Sequence, residues 1–207
     1  MYVPKNFLTT DQHEIVAFMK AYSFATIITA TANLPTATHL PFLVSIRGEK
    51  VILTSHFAKA NLHWGGLEEH KCLIIFNQPH AYISPIHYEK ELNVPTWNYI
   101  AVHAYGDAKL ITDEQSAVEV LEATIDNYES GYKEQWDKLP VDYKVKLIKG
   151  IVAFEVVITD LQAKKKLSQN KTEKEQKNIA DALSLSEDKN ERDIAEYMSQ
   201  HLSANKL

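Results

Sequence analysis

The stretch that most constrains this chain runs from residue 34 to residue 64, LPTATHLPFLVSIRGEKVILTSHFAKANLHW. Residues 35–46 are rich in Thr, Val, Leu and Phe, and residues 51–54 form a short β-branched run. Arg47-Gly48-Glu49-Lys50 lies between them as a charged, Gly-containing turn, so the segment reads as a hairpin. Ser55-His56-Phe57-Ala58-Lys59-Ala60-Asn61 comes next, at a strand end that leads towards a helix start. A hydroxyl, an imidazole, an ammonium and an amide thus fall within seven residues. Free backbone N–H groups at a helix N-terminus beside a cation are what a phosphate needs. Ser55, His56, Lys59 and Asn61 are therefore candidate ligands for an anionic cofactor; the plainer reading is a capped, solvated helix start.

Composition narrows the class. A chain of 207 residues suits one domain with room for an appended piece, and can bury a sizeable core. No apolar run approaches the roughly 18 residues that would span a bilayer. The first five residues lack the charged and apolar blocks of a signal peptide, and cysteine usage suits a reducing compartment, so the expectation is a cytoplasmic protein. The single cysteine, Cys72, excludes an internal disulfide and a cysteine metal cluster, and its apolar neighbours predict a small buried hydrophobe. A net charge of −5 argues against bulk polyanion binding. The nine histidines are scattered, with no H-E-x-x-H, so no metal site is expected. No G-x-S-x-G elbow is present, and Glu114, Glu119 and Glu122 fall on a helix face expected to be solvated, so no catalytic residue is assigned.

In chain order, Thr10 caps a helix whose apolar stripe is Ile15, Val16, Phe18 and Met19. Residues 24–31 (FATIITAT) read as a strand turned back at Ala32-Asn33 into the opening hairpin, giving an antiparallel meander of three strands. That topology fits a barrel or sandwich rather than a doubly wound sheet. Residues 71–77 predict a central strand, 81–85 an extended segment and 86–93 a surface loop. In the next strand, Tyr99, Ala101, His103 and Tyr105 alternate with Ile100, Val102 and Ala104. A helix is predicted over 113–128 with Thr112 or Asp113 as cap, a shorter one over 140–150, and a strong strand over 151–160. The chain changes character after residue 162. Lys164, Lys165, Lys166 and Lys171, with Lys144, Lys146 and Lys149, place seven cations within 28 residues, and 172–205 is polar with helical spacing at Ile179, Ala182, Leu183, Ile194, Tyr197 and Met198. The organisation expected is a domain over 1–162 and a basic segment with a helical tail over 163–207.

Several segments, in order, carry a family resemblance. They are Met1-Tyr2-Val3-Pro4, Ala37-Thr38-His39-Leu40-Pro41-Phe42, His56-Phe57-Ala58-Lys59-Ala60-Asn61, Val94-Pro95-Thr96-Trp97-Asn98-Tyr99, Val102-His103-Ala104-Tyr105-Gly106 and Lys166-Leu167-Ser168-Gln169-Asn170. Together they resemble the bacterial PaiB family, described as FMN-binding negative transcriptional regulators. The resemblance implies a mainly β, α+β fold: the FMN-binding split β-barrel, Greek-key-like and antiparallel, with a C-terminal helical tail. It is shared with pyridoxamine-phosphate-oxidase-like proteins, typically homodimers with flavin at the subunit interface. The cofactor implied is FMN, and the phosphate-gripping segment of that superfamily falls on Ser55, His56, Lys59 and Asn61. His-Phe-Ala stands before Lys59 where the oxidases often carry an arginine.

The resemblance extends the cofactor-binding set to Thr38, His39 and Leu40, whose backbone would lie against the ring system, and to Asn98, His103, Ser168 and Gln169. For Thr38 to Pro41 the plain alternative is a strand with one satisfied imidazole; for Trp97, Asn98, Tyr99 and His103 it is barrel and dimer packing. The basic run raises possible DNA contact, yet no helix-turn-helix is evident and a solvated basic strand end and loop is the favoured account of it. Two functions remain open: a flavin-binding homodimeric regulator, or a flavin-dependent oxidoreductase acting on a small molecule.

Overall fold

The computed structural model describes residues 1–204, with the side chain of residue 204 excepted. In order the elements are β1 (Leu8–Thr9), α1 (Gln12–Ala21), β2 (Phe24–Thr31), β3 (Leu34–Pro41), β4 (Leu43–Arg47), β5 (Lys50–Ala58), β6 (Lys71–Phe76) and β7 (His80–Ile83). Then come β8 (Thr96–Ile111), α2 (Glu114–Tyr128), α3 (Lys133–Asp137), α4 (Val141–Lys149), β9 (Ile151–Lys166), α5 (Glu173–Ser184) and α6 (Lys189–Ala204). The chain forms two compact units. One comprises Gln12–Phe76 and His103–Leu161; the other comprises Met1–Asp11, Asn77–Val102 and the chain from Gln162 on.

In the first unit the strand order is β3-β2-β6-β8-β9-β5-β4. Two hairpins carry it. β2 and β3 pair from Phe24↔Pro41 to Thr31↔Leu34 across a two-residue turn, with Ala32 and Asn33 both at positive φ (49° and 67°). Positive φ at both central residues matches the right-handed strand twist, which is why so tight a turn closes here. β4 and β5 pair from Leu43↔Thr54 to Arg47↔Lys50, with Gly48 at φ 64° in the turn.

The expected unbroken strand over 35–46 is split. Pro41 offers no N–H to extend a ladder, and Phe42 turns inwards, fully buried, donating its N–H to the Ser23 carbonyl at 2.8 Å. One residue thus carries the chain from β3, at one end of the strand order, to β4, at the other. The expected three-strand meander is corrected accordingly: β3 and β4 do not pair, and the connection at Phe42 draws the two sheet edges together. Phe42 packs edge-on against Phe76 and Phe154, ring centroids 6.2 Å apart in each case, and Phe57 stacks on Phe154 at 4.8 Å. These four rings are the heart of the barrel core.

β6 is central, between β2 and β8, with Cys72, Ile74 and Phe76 buried. Burial pushes the Cys72 thiol up to about 11, as a strand hydrophobe requires. Asp113 caps α2 by accepting from the Ser116 N–H at 2.8 Å. Ala117 and Val120 of α2 pack with Ile148 of α4 and Ala153 of β9.

In the second unit β1 pairs with the end of β9, and β7 pairs with the start of β8. β9 runs unbroken through position 162, so the basic residues 164–166 belong to a strand. Thr172 and Glu175 form a capping box that starts α5, and Ile179, Ala180 and Leu183 of α5 are buried, as are Ile194, Ala195 and Met198 of α6.

Candidate functional site

β3 is the terminal strand of its sheet and pairs with β2 alone, so alternate N–H and C=O groups along it face away from the ladder. Side-chain alternation separates the three residues expected on it. Thr38 and Leu40 stand opposite Ile27 and Ala25, which are buried, whereas His39 stands opposite Thr26 on the other face. There the His39 Nδ1 lies 2.9 Å from the Thr26 hydroxyl, and its ring stacks on Phe24.

Ser55 and His56 also part company. Ser55 is buried on the core face of β5 and donates its hydroxyl to the Pro41 carbonyl at 2.7 Å. Its oxygen fastens β5 to the end of β3. His56 stands opposite Ala153, on the face shared with the α2–α4 cluster, and burial holds its imidazole below the usual histidine range.

The helix start expected after β5 is corrected. The chain instead makes a one-turn 3₁₀ helix there, Leu62–Trp64, too short to gather a helix dipole, because Gly65 and Gly66 end it at once. Asn61 caps this turn, its Oδ1 accepting from the His63 N–H at 3.0 Å, while its Nδ2 donates to the Thr38 hydroxyl at 3.2 Å. Any anion held here is therefore held by side chains and strand-edge amides.

Lys59 fits that task. Its backbone is pinned on two sides: its N–H donates to the Gly150 carbonyl at 2.8 Å, and its carbonyl accepts from the Trp64 indole at 3.0 Å. The residue is exposed, and its ammonium has no ion-pair or hydrogen-bond partner among the described residues. A fixed backbone with an uncommitted cation, next to the open edge of β3, is a donor set of the kind a phosphomonoester uses.

A residue that sequence reasoning passed over joins these parts. His63 is buried, with Nε2 3.0 Å from the Thr29 hydroxyl and Nδ1 2.9 Å from the Thr38 hydroxyl. Its ring lies 5.4 Å from that of Phe57, and burial lowers its pKa. The spacing of His56, His63 and His70 suggested only scatter; the Asn61-x-His63 pair at a capped turn was the available signal.

His103 is half-buried, 6.5 Å from the Tyr105 ring, and its Nδ1 is buried without a hydrogen-bond partner. Asn98, Ser168 and Gln169 belong to the second unit and are occupied with one another's surroundings. Asn98 is fully buried, its Oδ1 accepting from the Ser168 hydroxyl at 3.0 Å and its Nδ2 donating to the Met198 sulfur at 3.5 Å. Gln169 accepts from the Leu167 N–H at 2.7 Å and donates to the Lys165 carbonyl. Trp97, expected to pack, is half-exposed and meets Tyr82 edge-on at 5.8 Å.

The basic segment is similarly engaged. Lys164 lies over the rings of Tyr2 and Tyr99, Lys165 over Tyr197 and Lys171 over Tyr88, the last at 3.8 Å. Lys166 donates to the Trp97 carbonyl at 2.7 Å and to the Thr96 hydroxyl. Apart from these groups, a cleft of about 720 Å³ opens in the first unit between β4 and α2; an Arg47–Glu155 pair at 3.0 Å lines it, and it includes no expected cofactor residue.

A family model for an FMN-binding domain matches residues 1–160. This chain belongs to the PaiB-like FMN-binding family. It is 39% identical over 205 residues to the protease synthase and sporulation protein PAI 2 of Bacillus subtilis strain 168, covering 98% of each chain. Among solved structures, it resembles the flavocytochrome Anf3 from Azotobacter vinelandii, with TM-score 0.62 and 22% identity over 80% of this chain and 72% of that one. An FAD and heme binding protein from Mycobacterium smegmatis gives TM-score 0.60 and 13% identity over 76% of this chain and 72% of that one. At those identities the likeness speaks to the fold alone, and the fold is the expected split barrel. The cofactor of the family is FMN. No helix among the described residues is long and apolar enough to cross a membrane.

Proposed function

We propose that this protein holds FMN at the corner where the open edge of β3 meets the turn after β5. The observation that carries the reading is the uncommitted Lys59 ammonium on a backbone fixed by Gly150 and Trp64. In this reading Lys59 holds the phosphate, Asn61 borders it, and strand-edge amides near Thr38, His39 and Leu40 pair with the flavin. Ser55 acts one step back, as the tie between β5 and β3, and the unpartnered His103 Nδ1 is a further group a ligand or water would satisfy. A bound flavin supplies hydride and electron transfer.

The protein works as a homodimer in this proposal. Phe24, Leu34 and Leu62, on and around the β2–β3 hairpin and the cofactor turn, are 67%, 72% and 83% exposed, and a second copy would cover them together with the bare edge of β3. Sedimentation at micromolar concentration reads this directly. Its cellular role is that of a cytoplasmic negative regulator of gene expression. Support comes from 39% identity, over 98% of the chain, with a relative named for protease synthesis and sporulation.

The deciding experiment is the absorption of the freshly purified chain near about 450 nm, where oxidised flavins absorb, followed by FMN titration of the stripped protein. Saturable 1:1 binding per chain is expected; no binding at micromolar FMN overturns the reading. A footprint on a defined promoter at physiological salt tests direct DNA contact, which the ring- and carbonyl-bound lysines of 164–171 do not favour.

A further inference from the structure

We propose that His63 is the positioning residue of this site: its single imidazole ties β2 and β3 to the turn bearing Lys59 and Asn61 and sets them before any ligand arrives. The inference rests on reading Lys59 and the edge of β3 as the flavin site.

The geometry is a closed ring of hydrogen bonds. His63 Nδ1 meets the Thr38 hydroxyl at 2.9 Å, that hydroxyl accepts from Asn61 Nδ2 at 3.2 Å, and Asn61 Oδ1 accepts from the His63 N–H at 3.0 Å. On its far side Nε2 meets the Thr29 hydroxyl at 3.0 Å. A neutral imidazole has one donor and one acceptor nitrogen, and a threonine hydroxyl serves either, so both ring nitrogens are satisfied in either tautomer. The Phe57 ring packs against the imidazole at a tilt, centroids 5.4 Å apart, and His63 is buried.

Without the imidazole, the turn loses its bond to Thr29 of β2 and one of its two bonds to Thr38 of β3, and the Asn61–Thr38 bond is left to hold the segment bearing Lys59 to the strand edge. Ordering of that segment would then have to accompany binding, which weakens affinity. His63 is itself buried and makes no hydrogen bond to Lys59, so its effect on the phosphate ligand passes through Thr38 and Asn61.

Two isosteric halves of the imidazole separate positioning from bulk stability. Asparagine at 63 places its amide where Nδ1 stood and keeps the Thr38 bond; glutamine reaches the Nε2 position and keeps only the Thr29 bond. FMN and riboflavin are titrated by flavin fluorescence into the full chain and its His63→Asn, His63→Gln and Lys59→Ala variants, with thermal midpoints measured alongside. His63→Gln is expected to weaken FMN binding about tenfold or more and His63→Asn less than about threefold, although both lower the midpoint comparably. Lys59→Ala is expected to weaken FMN and spare riboflavin, which lacks the phosphate. If Lys59→Ala acts and the two His63 variants weaken FMN equally or not at all, the positioning role is overturned while the site stands. If Lys59→Ala is silent, the phosphate assignment fails and the proposal falls with it. Thr38→Ser and Thr38→Val, which leave the imidazole intact, repeat the contrast should a His63 variant not fold: serine keeps FMN affinity and valine loses it, and equal affinities overturn the proposal.

Discussion

Thr38 and His39, neighbours in the chain, send their side chains to opposite faces of β3, one to His63 at 2.9 Å and the other to Thr26 at 2.9 Å. The two contacts look alike and differ in burial. The Thr38 bond ends on a buried ring, whereas the His39 bond is exposed to water, which can replace either partner. Thr38→Val should therefore cost about 1–3 kcal/mol by leaving a buried imidazole nitrogen and the Asn61 amide short of a partner. His39→Ala should cost less than about 0.5 kcal/mol. Urea denaturation of the two variants measures the difference; equal costs would mean that Thr38 is not the anchor described.

Lys59→Ala should weaken FMN binding by about 1.5–3 kcal/mol, the range for a hydrogen bond to a charged group, with no loss of fold because the ammonium makes no hydrogen bond or ion pair among the described residues. Calorimetric titration gives the affinity and a melting curve the stability. A large drop in thermal midpoint would show that the side chain is structural rather than held for a ligand.

At Gly106 the neighbouring strand leaves no room for a side chain. A Cβ there would lie 2.4 Å from the Val157 carbonyl oxygen and 2.7 Å from a Val156 methyl group. The oxygen belongs to the β9 backbone and cannot step aside without breaking the ladder. Gly106→Ala should cost about 3 kcal/mol, the upper end for forcing atoms into a packed core. Denaturant midpoints check it, and an unperturbed midpoint would require β8 and β9 to separate more easily than their pairing suggests.

Much of the fold was legible because periodicity reports burial. The alternation through Ile100, Val102 and Ala104 places β8 correctly, and of the two caps expected for α2, Thr112 or Asp113, it is Asp113 that starts the helix. The break at Phe42 was not, since a run of Thr, Leu, Phe and Val reads as one strand whether or not it changes sheet edge; only the missing N–H of Pro41 hinted at it. The site was legible in part. Family segments named Thr38, Lys59 and Asn61, but motif spacing does not tell which face a strand residue takes, so Ser55 and His56 were expected together and stand apart. His63 escaped notice because its partners Thr29 and Thr38 come from two earlier strands, and long-range pairing leaves no local pattern.

Ser168 sits at φ 62°, in the left-handed region that costs a non-glycine residue about 1–2 kcal/mol, yet its hydroxyl is the donor that satisfies buried Asn98. Glycine would relieve the backbone and lose the bond; alanine would keep the strain and lose the bond. Ser168→Gly should thus be more stable than Ser168→Ala by about 1 kcal/mol, with both below the parent. Chemical denaturation orders the three proteins, and an alanine variant as stable as the glycine one would show that the strain is relieved elsewhere.

The pH dependence stems from three imidazoles. Burial lowers the pKa of His56, His63 and His103 below the ordinary histidine value of 6.5, so each stays neutral in the folded chain at pH values where the unfolded chain is already taking up a proton. Below about pH 6.5 the unfolded state therefore binds more protons, and stability falls as pH drops towards the folded values. Asp113 and Glu175, whose carboxyls are lowered by hydrogen bonds to N–H groups, add to the loss only at more acidic pH, near the carboxylate range. Urea midpoints should thus be flat from about pH 8 to 7 and decline between about pH 6.5 and 5, before the carboxylates begin to titrate. His63→Asn removes one of the three groups and should make that decline shallower without shifting its onset. A stability that rose on acidification through this window would mean that at least one of these rings is charged in the folded protein and has an anionic partner there.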